Sequence, residues 1–208
     1  IISGLVGSEM CIRDSYTNQS TKRLMLSYKL LFFLPLISTI FTYPFGVLLG
    51  EKTAQYFSST LISIAAILSW FLFISFSSSS SSEIIIPVLE WFFVSGQFFN
   101  WGISVNSLTL LMLTLVLTVS ALVHIYSIEY MSHDNSKVRF MTYLSLFTFC
   151  MVALVVSDNL IQLFFGWEGV GLASYLLIGF WHHKKSANLA AMKALSLIHI
   201  SEPTRPLI

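Results

Sequence analysis

Runs of apolar residues long enough to cross a bilayer restrict this chain more than any other feature. A spanning helix needs about 20 largely apolar residues, and such runs lie at 30–50, 56–76, 107–128, 140–156 and 160–181. Hydrocarbon offers backbone N–H and C=O groups no water, so runs of this kind must close their hydrogen bonds internally as helices. Pro35 and Pro44 fall inside the first run, which neighbouring helices and hydroxyl side chains can accommodate in a membrane. Only 10% of residues are charged and mean hydropathy is +0.78, whereas a soluble domain carries roughly 25% charged residues. A net charge of +1 gives no electrostatic footprint for nucleic acid.

Between the second and third runs the pattern changes. Residues 77–82 are all serine, a low-complexity tract that reads as a flexible linker. The stretch 84–105 mixes β-branched and aromatic residues with Pro87, Gly96, Asn100 and Gly102. It is too interrupted to span, and is predicted to form a short β-hairpin-like segment at the interface. A sixth helix is expected to open at about Ala187. The fold class that follows is an all-α integral membrane protein with about five transmembrane helices, the start of a sixth, and the hairpin between spans two and three.

The two ends read as foreign. Glu9–Asp14 can be encoded as GAG ATG TGT ATA AGA GAC, and the reverse complement in a shifted frame gives Ser196–Ser201. One DNA element in opposite orientations, resembling a transposon adaptor of sequencing libraries, explains both. Residues 1–15 and 195–208 are therefore set aside from fold reasoning, with 16–29 as a lead-in and 30–194 as the helical region.

Basic residues order the topology. Lys52, Lys137, Arg139, Lys184, Lys185 and Lys193 follow odd-numbered spans, while the loops after even-numbered spans hold Glu83, Glu90 and Asp158 without Lys or Arg. The positive-inside tendency then places the odd-span exits inside and the N-terminus outside. Lys22, Arg23 and Lys29 weigh the other way.

Glu168 is the chemical outlier. It stands mid-span in LFFGWEGVGLASYLLIGFW, where an ionisable group costs at least ~3 kcal/mol and faces the protein interior. A carboxyl so placed suits a proton relay; the bland reading is a protonated acid that hydrogen-bonds a neighbouring helix. Gly166, Gly169 and Gly171 around it predict close helix packing rather than a phosphate loop, which needs a preceding strand. His124, near the end of the third span, either passes protons or is an imidazole hydrogen-bonded within the bundle near the headgroups. Lys193 is a candidate charge partner for Glu168, or else snorkels to the surface. Arg139, at the start of the fourth span, can snorkel or pair. Adjacent His182 and His183 do not share a helix face and have no supporting ligand cluster, so His182–Lys185 reads as a basic junction.

The segments SALVHIYSIEYM, RFMTYLSLFTF, VSDNLIQLFFGWEGVGLASYLLIGFW and SANLAAMKA closely resemble the antiporter-like chain 5, or L, subunit of respiratory NADH:quinone oxidoreductase (complex I). Upstream, FLPLIS and PVLEWF resemble it more weakly. The resemblance implies an all-helical, proton-translocating membrane subunit with an outside N-terminus, in a bacterial inner or mitochondrial inner membrane. It implies no redox cofactor in this chain, with NADH, FMN, iron–sulfur clusters and quinone bound by other subunits. The partners implied are the other membrane subunits of complex I and the lipid bilayer. The family's key glutamate falls on Glu168 and the lysine of its AAxKA motif on Lys193. Two further readings stand beside it: a subunit of a multi-component cation/proton antiporter, and a non-conducting membrane scaffold.

Overall fold

A computed structural model describes residues 2–77, 83–94, 97–134 and 136–199, with side chains described from Leu24 onward except in 90–99 and 197–199. The elements in chain order are α1 (Ile2–Leu49), α2 (Glu51–Ser77), β1 (Ile84–Val94), β2 (Gln97–Val105), α3 (Ser107–Tyr130), α4 (Lys137–Val155), α5 (Leu160–Ile178) and α6 (Lys185–His199). Five helical stretches are long and apolar enough to cross a membrane: Leu24–Leu49 within α1, and α2 to α5. All five expected spans, the hairpin and the opening of a sixth helix are therefore present. Ser78–Ser82, most of the expected serine linker, lie outside the described residues, as does Gly96.

Local signals explain the boundaries. Gly50 joins α1 to α2 at φ +99°, a left-handed conformation that costs glycine little. Asn106 caps α3 by accepting from the Thr109 amide at 2.8 Å, and Asn159 caps α5 by accepting from the Gln162 amide at 2.8 Å. Both satisfy a donor that the first helical turn leaves open. Pro35 and Pro44 remain within α1.

In α3 the physics of the bundle can be read directly. Leu110, Leu113, Leu117, Ala121 and His124 recur every three or four residues and are buried, while Leu108, Leu111, Leu115, Val119 and Leu122 form the exposed stripe. An apolar outer face is what a lipid-facing helix requires, so burial here separates packing from lipid contact rather than from water.

Helix α1 packs on α2 and α4, α2 on α3, and α4 on α5. Leu31, Ile62, Leu72, Leu113, Leu117 and Val152 form the interior, and Ile86, Ile103 and Val105 of the hairpin continue it. Strands β1 and β2 pair antiparallel, from Ile84 opposite Val105 to Val94 opposite Gln97. The hairpin is fastened to the α4–α5 turn. The Ser104 amide donates to the Val156 carbonyl at 3.0 Å. The Gln162 carboxamide donates to the Gly102 carbonyl at 2.9 Å and accepts from the Gly102 amide at 3.3 Å.

The opposite end gathers the basic residues. Lys137 at the start of α4 pairs with Glu51 at the start of α2 at 3.6 Å, and Trp181 after α5 donates to Asp134 at 3.1 Å. The loops after spans one, three and five thus share one end, as the charge pattern predicts.

Candidate functional site

Helix α4 separates two polar loci. On one face stands Glu168. Gly166 lets α5 lie against the α4 backbone: a Cβ there would sit 2.8 Å from the Leu154 Cα. At Gly169 a Cβ would sit 2.8 Å from the Cys150 Sγ. The expected close packing around Glu168 is therefore an α4–α5 contact. Glu168 lies between these two glycines in sequence, half-buried, eight residues after Leu160 and ten before Ile178, about 12–15 Å of rise from either end. It lines a groove of about 450 Å³ with Leu36 of α1, Leu146, Phe149 and Cys150 of α4, and Leu172. Among the described residues the Glu51–Lys137 pair is the one ion pair, so Lys193, exposed on α6, makes none with Glu168.

On the other face His124 is wholly buried. Its Nδ1 stands 2.8 Å from the Ser120 carbonyl and its Nε2 3.2 Å from the Ser145 hydroxyl. A carbonyl only accepts, so Nδ1 carries the hydrogen, and a neutral ring must accept the Ser145 hydroxyl at Nε2. Ser145 stands 3.0 Å from Ser38 and 2.8 Å from Ser58, and Ser38 donates to Ser58 at 3.1 Å. Ser120 closes the other side against Thr148 at 2.5 Å. The Thr148 hydroxyl is engaged with the Leu144 carbonyl, so Ser120 donates. Four helices thus meet through one imidazole and five hydroxyls. The structure places His124 deep among α1, α2 and α4, within the hydrogen-bonded interior.

The sequence alone does not single out the serines and threonines of this network. A signal was present: Ser120 with His124, Ser38 with Thr42, and Ser145 with Thr148 recur at three or four residues inside apolar runs. Scattered hydroxyls are common in membrane helices, so only the positions of the other helices show which ones converge.

At the basic end, the Arg139 guanidinium carbon lies 4.9 Å from the Phe180 ring centre, and among the described residues it makes no ion pair. The indole hydrogen bond from Trp181 and the Ser136 amide hold the Asp134 carboxyl below its ordinary range. His182 and His183 are exposed, with ring centres 3.9 Å apart. Among the described residues no group of three His, Cys, Asp or Glu forms a metal site.

Residues 91–141 match the family model of NADH-ubiquinone oxidoreductase (complex I) chain 5 N-terminus. Residues 157–203 match that of the NADH:quinone oxidoreductase/Mrp antiporter transmembrane region. The NADH-quinone oxidoreductase subunit L of Rhodobacter capsulatus is 46% identical over 162 residues, 74% of this chain and 22% of the relative. Successive stretches of the chain thus match the complex I chain 5/subunit L family. The NADH-ubiquinone oxidoreductase chain 5 of Chondrus crispus is 42% identical over 175 residues, covering 84% of this chain and 26% of its own length. The chain thus spans about a quarter of the length of these family members. A solved Mrp complex from a Dietzia species shares the fold at a TM-score of 0.63, with 21% identity over 84% of this chain and 18% of that one.

Proposed function

We propose that this chain is a segment of a proton-translocating complex I subunit in which Glu168 is a mid-membrane proton relay. The carrying observation is the carboxylate itself. It stands half-buried at the middle of a spanning helix, on a groove walled by apolar side chains of α1, α4 and α5. Relatives named as NADH-quinone and NADH-ubiquinone oxidoreductase subunits, 46% and 42% identical, support the coupling to quinone reduction. An uncompensated carboxylate at that depth costs several kcal/mol, which is reasonable where the proton itself is the cargo. Lys193 is the candidate charge partner of Glu168. Residues from Leu195 onward we read as foreign, so the place of Leu195 in the groove wall has no part in this reading.

The full-length protein would sit in a bacterial or mitochondrial inner membrane among the other membrane subunits of complex I, which hold the redox cofactors. The basic end would face inside, leaving the N-terminus outside.

The shared fold of the Mrp complex favours a second reading, a subunit of a multi-component cation/proton antiporter. The test is Glu168→Gln in the full-length subunit within the assembled complex, reading NADH oxidation and proton uptake into vesicles together. Loss of proton uptake supports the relay. Unchanged uptake sinks it and leaves a non-conducting scaffold. Sodium-driven proton movement without NADH, abolished by the same change, would favour the antiporter.

A further inference from the structure

Further buried polar side chains lie beside the His124 network. On the same face of α2 as Ser58 and Ser59, one turn nearer the basic end, stands Gln55. It is 3% exposed, and its Nε2 has no hydrogen-bond partner in the protein. A buried amide hydrogen left unpaired costs about 1–3 kcal/mol, and an ordered water is the usual remedy where polar partners surround the space. Thr42, one turn beyond Ser38, and Ser127, one turn beyond His124, are also buried and lie towards that same end. Glu51, one turn before Gln55, has a side chain 48% exposed.

We propose that α1–α4 enclose a hydrated polar column, separate from the Glu168 groove, which admits water from the Glu51–Lys137 end as far as His124 and makes that imidazole a proton-accepting station. The chemistry balances simply. A hydronium ion delivers its proton to Nε2 and leaves as water, the ring becoming imidazolium while Nδ1–H keeps its bond to the Ser120 carbonyl. The Ser145 hydroxyl, which had donated to Nε2, turns its hydrogen towards Ser38 or Ser58 and accepts instead. The triangle of Ser38, Ser58 and Ser145 hydroxyls, with edges of 3.1, 3.0 and 2.8 Å, allows that reversal without moving a helix. The elements around the ring present hydroxyls: Ser38 from α1, Ser58 and Ser59 from α2, Ser145 and Thr148 from α4. No carboxylate, Lys or Arg among the described residues hydrogen-bonds to them, so the column suits water and protons rather than a metal cation.

The experiment is hydrogen–deuterium exchange at the imidazole C2 position in the full-length subunit within the assembled complex, read by mass spectrometry. Exposed His182 and His183 serve as internal standards. His124 is expected to exchange measurably, and Gln55→Met to slow it several-fold while His182 and His183 keep their rates. Should Gln55→Met fail to assemble, Ser58→Ala is expected to slow the same exchange. An unmodified complex in which His182 and His183 exchange but His124 stays inert overturns the proposal, and so does a rate indifferent to these substitutions. Glu168→Gln should leave His124 exchange unaltered, so this test and that of the Glu168 relay fail independently.

Discussion

The two faces of α4 solve the problem of polarity in a membrane in opposite ways. Towards α3 the polar groups are neutral, wholly buried and mutually hydrogen-bonded: His124, Ser145, Ser58 and Ser38 satisfy one another among four helices. Towards the groove stands a single carboxyl, half-buried beside apolar walls, with no ion pair to a described residue. A hydrogen-bonded network of neutral groups holds helices in register, because each unmade bond in hydrocarbon is costly. An isolated carboxyl holds nothing together, and its cost is acceptable only if its charge is used. Removing a hydroxyl of the network should therefore cost stability, whereas removing the Glu168 carboxyl should cost transport and leave stability alone.

The sharpest break in that comparison comes from Glu168→Gln. Proton translocation by the full-length protein should fall by roughly a hundredfold or more, the scale of a lost proton-transfer group, while the thermal midpoint of the assembled complex barely moves. A fall in both would mean that Glu168 is structural. Next is the α4–α5 contact: Gly166→Ala drives a methyl into the Leu154 backbone and should cost about 1–3 kcal/mol, seen as easier thermal or detergent dissociation. Gly169→Ala meets only the Cys150 thiol, which can rotate, so its cost should be smaller; the reverse order would place the rigid contact wrongly. Ser145→Ala leaves Nε2 of His124 without its donor and should cost about 1–3 kcal/mol in the same assay. The smallest effect lies outside the membrane. The Asp134 carboxyl is held low by Trp181 and the Ser136 amide, so the contribution of these bonds is complete above the ordinary carboxylate pKa and is lost as pH falls through the lowered folded value. Trp181 fluorescence should report that acid transition, and Asp134→Asn should remove it.

What could be read in advance follows from what each feature depends on. The spans depend on apolar length alone, and the helices from Ser107 and Leu160 begin at their expected residues because Asn106 and Asn159 cap them. Helix α4 ends at Val155 and α5 at Ile178, short of the apolar limits at Val156 and Trp181, because hydropathy continues through a turn while helical hydrogen bonding does not. Glu168 was legible because one charge in an apolar run is conspicuous. The hydroxyl network was not: Ser38 and Ser145 are 107 residues apart, and no local pattern selects them from the many serines of this chain. The glycines show an intermediate case. Gly166 and Gly169 announced close packing, but only the fold names Leu154 and Cys150 as what they approach.

The hairpin clasp has a mechanical corollary. Helix α5 is pinned at its start, where Gln162 grips both polar groups of Gly102 and Asn159 donates to the Asn100 carbonyl at 3.0 Å. Its far end is held by the indole bond from Trp181 to Asp134 and by the contacts of the Phe180 ring with Arg139 and Phe140. Any displacement of α5 that leaves the clasp intact must be a swing about its hairpin end, like a gate on one hinge. Glu168, nearer the hinge, would travel roughly a third to two fifths of the arc of Trp181 at a uniform rise per residue, so a probe at the indole would amplify whatever the carboxylate does.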